Sequence, residues 1–142
     1  MNLLYRLQNG GIGDLHPDIF WLLIGTNDRR RGGDDSCSVE SIVAGNIAIV
    51  EELKRMRPEA TVVINSLLPR PAEFWKFLSP VNDRLECYAS ITSGVEFFNA
   101  TDLFTDPDLT LLHLPDKLHP DAEGSRIWTR AIADKVLELS SP

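Results

Sequence analysis

Two short runs, Ile19-Phe-Trp-Leu-Leu-Ile24 and Thr61-Val-Val-Ile-Asn-Ser66, are apolar almost without interruption. A strand with one wet face alternates polar and apolar residues. An unbroken run marks a strand covered on both faces, as in a parallel sheet held between helical layers. Gly25 stops the first run. Between the two, Ser38 is placed to cap a helix in which Val39, Ile42, Val43, Ile47, Val50, Leu53 and Met56 recur at helical spacing, ending before Pro58. Asn2 to Gln8 is a short helical pattern closed by Asn9-Gly10-Gly11. Leu67 to Glu73, with two prolines, reads as loop. Pro80 to Ser93 reads as a helix ended by Gly94, and Val95 to Phe98 as a third strand. In the last helix, Asp121 to Leu139, the spacing turns Ile127, Ala131, Val136 and Leu139 inward. Strand and helix therefore alternate, which predicts an α/β fold with a parallel sheet and helices on its faces. With 142 residues and no repeat or linker, the chain reads as a single domain.

Composition narrows the function. Acidic residues outnumber basic ones by 21 to 14, so polyanions are repelled and nucleic-acid binding is disfavoured. No apolar run approaches the roughly 20 residues of a membrane-spanning helix. Cys37 and Cys87 make neither a disulfide framework nor a zinc cage, and His16 and His113 are too isolated to argue as metal ligands. Arg29-Arg30-Arg31 has the charge to grip an anion, but Asp34 and Asp35 follow it, and a solvated loop is the simpler reading. Asn99-Ala-Thr101 is a formal glycosylation sequon, meaningful only in a secreted protein.

In parallel sheets, active groups collect at the carboxyl ends of the strands. Gly25-Thr26-Asn27-Asp28 follows the first strand and Asp116-Lys-Leu-His119-Pro120 precedes the last helix, which puts both segments on that edge. Asp116 and His119 are close enough in sequence for the carboxylate to reach Nδ1 and leave Nε2 as a general base, with Pro120 placed to start the helix. The bland alternative is an exposed histidine beside a solvated aspartate. Asn27 has an amide that can donate to a developing oxyanion, although Gly-Thr-Asn-Asp is also ordinary turn chemistry. Asp28 reads as an acceptor bracing that loop.

Taken together these residues resemble the SGNH (GDSL-like) hydrolases. Gly25-Thr-Asn-Asp28 is similar to their third sequence block. Asp116-Lys-Leu-His119-Pro-Asp-Ala-Glu-Gly124-Ser-Arg-Ile-Trp128 is similar to their fifth. The stretch Arg57 to Arg70 between them, and Leu4 to Gly10 ahead of them, look closest to the branch of platelet-activating-factor acetylhydrolase catalytic subunits. The resemblance implies a three-layer α/β/α sandwich with a flavodoxin-like sheet. It also implies hydrolysis of a small-molecule ester without metal or organic cofactor. In that chemistry His119 is the base, Asp116 its orienter and Asn27 an oxyanion donor.

One departure is plain. The Gly-Asp-Ser block that supplies the family's nucleophile, and the block supplying an oxyanion-hole glycine, should precede Asn2, and neither is present. Gly10, Gly11 and Gly13 lie after the first helix and read as turn glycines. Of the remaining serines, Ser66 at a strand end is the best substitute, ahead of Ser36 and Ser38. The expectation is therefore the C-terminal part of an ester hydrolase, N-terminally truncated and without its nucleophile. The competing expectation is a non-catalytic binding module that kept the fold. In the truncated sheet, Ile19 to Ile24 becomes an edge strand with Phe20, Trp21 and Leu22 poorly covered, open to self-association.

Overall fold

A computed structural model describes residues 2–28, 37–104 and 116–141. Helix α1 (Asn2–Gln8) leads into strand β1 (Ile19–Leu22), and helix α2 (Val39–Met56) into β2 (Thr61–Asn65). Helix α3 (Ala72–Ser90) and strand β3 (Val95–Phe98) follow, then a 3-10 turn (Thr101–Phe104) and helix α4 (Ala122–Leu139). The three strands are parallel in the order β1-β2-β3, with Phe20 level with Val62 and Ile64 level with Phe97.

Alternation along the strands divides the sheet into two faces. On one, Leu22, Val62, Ile64 and Val95 form the main core with Ile42, Ile49, Val50 and Leu53 of α2 and Leu78, Val81 and Leu85 of α3. On the other, Trp21, Asn65 and Phe98 face α4, whose Trp128 joins Leu68, Ala100 and Phe104 in a second, smaller apolar cluster. The first face is covered by α2 and α3. The second carries α4 alone among the described helices, and the only fully buried residue of α4 is Gly124. Ile127, Ala131, Val136 and Leu139 are half-buried.

The α/β class, the three parallel strands and the Ser38 cap hold as expected; the Ser38 hydroxyl accepts the Ser41 N–H at 3.2 Å. Four details differ. Strand β1 ends at Leu22, two residues before the apolar run does, because the chain must turn toward Gly25. Helix α3 starts at Ala72 and carries Pro80 inside it. An interior proline costs about 3 kcal/mol in an isolated helix. Packing of Phe74, Trp75 and Leu78 against the main core offsets that cost and extends the helix backwards. Pro120 does not open α4; it stands before the true cap, Asp121, which accepts the Gly124 N–H at 2.8 Å. Leu22 is buried by the α2 side of the core, so of the three residues expected to be poorly covered Phe20 and Trp21 remain half-covered, as does Ile19.

Candidate active site

The first part of the site is a turn forced by sterics. Gly25 sits at φ 114°, in the region open to glycine, and a Cβ there would lie 2.8 Å from Ile42 Cγ2. The Asp28 N–H donates to Gly25 O at 3.1 Å and closes the turn, while Asp28 O accepts the Cys37 N–H at 3.0 Å. Asp28 thus braces the loop through its backbone, and Asn27 is left exposed at the crest.

The second part wraps around a carboxylate. Asp116 Oδ1 accepts the backbone N–H of Leu118 at 2.9 Å and of His119 at 3.0 Å. Asp116 Oδ2 lies 2.7 Å from His119 Nδ1. Closing so tight a loop puts Lys117 at φ 54°, the sole non-glycine residue with positive φ among those described. The His119 ring bond, then the two backbone donors, hold the Asp116 carboxyl well below the usual carboxylate range. An ionised carboxylate only accepts, so Nδ1 must carry the proton and Nε2 is the basic nitrogen.

The two parts share one pocket. A cavity of about 200 Å³ is walled by Leu23, Leu68, Leu118, Pro120 and Trp128 and carries Thr26, Asn27, Arg70 and His119 as its polar groups. Asn27 and His119, 92 residues apart in sequence by their numbers, thus face a common space. Arg70 was not singled out from the sequence. It follows β2 at the carboxyl edge of the sheet, where the strand-end rule applied to Asn27 would have found it; its guanidinium lies 5.0 Å from the Phe74 ring centre. Leu68 was likewise visible only as a residue beyond a strand end, whereas Trp128 stood out as part of the block similar to the family's fifth.

The alternative nucleophiles fare differently. Ser66 is fully buried, and its hydroxyl accepts the Ala100 N–H at 2.9 Å. Ser38 is spent as the α2 cap. Gly10 and Gly13 have positive φ, and a Cβ on Gly11 would meet Arg6 O, so all three serve the turn after α1. Ser36, Arg29, Arg30, Arg31 and His113 lie outside the described residues. His16 lines a separate groove with Arg57 and Glu59 before β1 and β2. Cys37 and Cys87 are exposed and not joined. Among the described residues no helix is long and apolar enough to cross a membrane.

A parallel sheet bearing an Asp-His pair and an asparagine at its carboxyl edge defines a class, and comparison with known proteins agrees with it. Residues 2–127 match the GDSL-like lipase/acylhydrolase family, and the chain belongs to that family. It is 29% identical over 143 aligned residues to the platelet-activating factor acetylhydrolase IB subunit alpha1 of Rattus norvegicus, covering 97% of this chain and 59% of the relative. The human protein of that name is 28% identical over the same span. The chain thus spans 59% of the length of these relatives. Among solved structures, a carbohydrate esterase family 3 protein from Talaromyces cellulolyticus superposes with a TM-score of 0.75 at 20% identity, over 97% of this chain and 63% of that one. A GDSL-like lipase from Bacteroides thetaiotaomicron gives 0.71 at 23% identity, over 95% and 69%.

Proposed function

We propose that Asp116, His119 and Asn27 are the base and oxyanion portion of a small-molecule ester hydrolase site. Its attacking serine is supplied by a Gly-Asp-Ser segment outside these 142 residues. The observation that carries this reading is the 2.7 Å Asp116–His119 pair beside a pocket that also holds Asn27.

The chemistry follows from the atoms. His119 Nε2 takes the proton from the serine hydroxyl as its oxygen attacks the ester carbonyl. Asn27 Nδ2 donates to the oxyanion that forms. The intermediate collapses by breaking the bond to the alcohol oxygen, which takes the proton from Nε2. Water then attacks the acyl-serine, again giving a proton to Nε2; the bond to the serine oxygen breaks, that oxygen takes the proton back from Nε2, and the acid leaves. Asp116 keeps Nδ1 protonated throughout and balances the imidazolium. A pocket of about 200 Å³ with leucine and tryptophan walls suits a short acyl chain. The names of the similar proteins, an acetylhydrolase and a carbohydrate esterase, support an ester substrate.

The test is reconstitution. The chain alone should hydrolyse aryl acetates no faster than its His119→Ala variant. Addition of a Gly-Asp-Ser-bearing segment, fused or separate, should restore hydrolysis that His119→Ala abolishes. Fluorophosphonate labelling of a serine within the 142 residues, with turnover above the control, would overturn the reading and identify another nucleophile. A folded complex with no gain in turnover would favour the binding-module alternative.

A further inference from the structure

The indole N–H groups of Trp21 and Trp128 converge on one atom, Asn65 Oδ1, at 3.1 and 3.0 Å. Asn65 is 2% exposed, and its Nδ2 donates to Ser66 O at 2.7 Å, so both lone pairs of the oxygen and one of the two amide N–H groups are used. An indole N–H can only donate, which fixes the amide with its oxygen toward the two rings. The rings are otherwise held by edge-on aromatic contacts, Trp21 with Phe98 at 4.9 Å and Trp128 with Phe104 at 6.0 Å.

What makes this arrangement more than a satisfied core amide is which elements it joins. Trp21 belongs to β1, whose continuation carries Asn27. Trp128 belongs to α4, which His119 immediately precedes, and its ring forms a wall of the pocket. Among the described residues, the other polar contact of α4 with a strand is a looser ion pair, Lys135 to Glu96 at 3.6 Å. A single oxygen on β2 therefore registers the strand bearing one half of the site against the helix bearing the other.

We propose that Asn65 is a positioning residue for this pocket, setting the spacing of Asn27 and His119 through its shared bonds to Trp21 and Trp128. The proposal rests on the hydrolase reading for the purpose of the pocket, but its test needs no turnover.

The experiment is NMR on the 142-residue chain, following the indole N–H signals, the Asn27 side-chain amide and the His119 ring. Trp21→Phe keeps an aromatic ring and removes one donor. The Trp128 N–H signal should then shift, and the Asn27 and His119 signals should move with it. Asn65→Leu should send both indole signals upfield and shift and broaden His119 well below the melting temperature. Asn65→Asp, which restores an acceptor oxygen, should bring the Trp128 signal back. If Asn65→Leu does not fold, the Trp21→Phe result decides. Indole signals that change while Asn27 and His119 stay fixed would overturn the proposal, whatever happens to Tm. Reconstituted hydrolysis that fails while these shifts are seen would count against the hydrolase reading alone.

Discussion

Asp116 grips His119 twice, through the ring at 2.7 Å and through the backbone N–H at 3.0 Å. The carboxylate is therefore both the orienter of the imidazole and the centre on which the loop is wound. Its depressed pKa sets a pH dependence. A carboxyl that ionises more readily folded than unfolded contributes stability above its unfolded value, about 3.9. That contribution fades as pH falls through the lower folded value. The Leu118 and His119 amide signals should accordingly show no carboxylate step near pH ~4, and such a step only in stronger acid. An ordinary carboxylate titration at these amides would remove the grip. In the reconstituted enzyme, Asp116→Asn should cost on the order of 10⁴-fold in turnover by releasing the wrong tautomer.

Ser66→Ala separates structure from chemistry. The Ala100 N–H would lose its buried acceptor, which costs about 1–3 kcal/mol. Denaturant unfolding should show that loss, while background ester hydrolysis stays unchanged.

At the turn, Gly25→Ala meets two obstacles: a φ of 114° and a contact of 2.8 Å with Ile42 Cγ2. We expect a loss of about 1–3 kcal/mol in thermal or chemical melts. Pairing it with Ile42→Val relieves the contact but not the φ, so the double variant should recover only part. Asn27→Ala, on the exposed crest, should leave Tm nearly unchanged and cost the reconstituted enzyme roughly 10²–10³-fold.

Glu40 and Arg84 join α2 to α3 at 2.7 Å on the surface. The Arg84 guanidinium, helped by the Glu40 backbone N–H and the Ser38 hydroxyl, lowers the Glu40 pKa to about 2. The pair should support the fold above the unfolded carboxylate value of about 4.3 and lose its effect as pH falls through the folded one. Glu40→Gln should lower Tm slightly at neutral pH and low salt, and progressively less as pH falls toward and below about 2 or as salt is raised. An equal shift under all conditions would mean that packing, not charge, is involved.

Among the described residues β1 pairs with β2 alone, which leaves its outer row of N–H and C=O groups open. Sedimentation velocity of the 142-residue chain should show concentration-dependent association, reversed when Phe20 is replaced by Lys. A monomer at all concentrations with a cooperative, high-temperature melt would refute this.

Much of this was legible in the residue order, for reasons that are local. Unbroken apolar runs at Ile19 and Thr61 identify strands covered on both faces, and a hydroxyl before a periodic segment identifies the α2 cap. Asp116 and His119 could be paired on paper because one turn of loop brings them together. Pro80 misled because the preference of proline for the first helical turn is a local rule, and the packing of Phe74, Trp75 and Leu78 that overrides it is not. Asn65 gave no signal at all: a polar residue ending an apolar strand looks like a boundary, and its two partners lie 44 and 63 residues away. Arg70 was within reach of the strand-end rule, but only the folded sheet shows that it shares a pocket with His119.

The shared acceptor at Asn65 also gives the protein an optical handle. Of its three tryptophans, Trp75 packs into the core on the opposite face of the sheet, whereas Trp21 and Trp128 meet at one oxygen. With Trp75→Phe in the background, emission comes only from the two indoles at that junction. Circular dichroism sums over every helix and registers the departure of any of them. The fluorescence of the paired rings registers one event, the lifting of α4 from the sheet, and would report it by a red shift even while the rest of the chain remained folded.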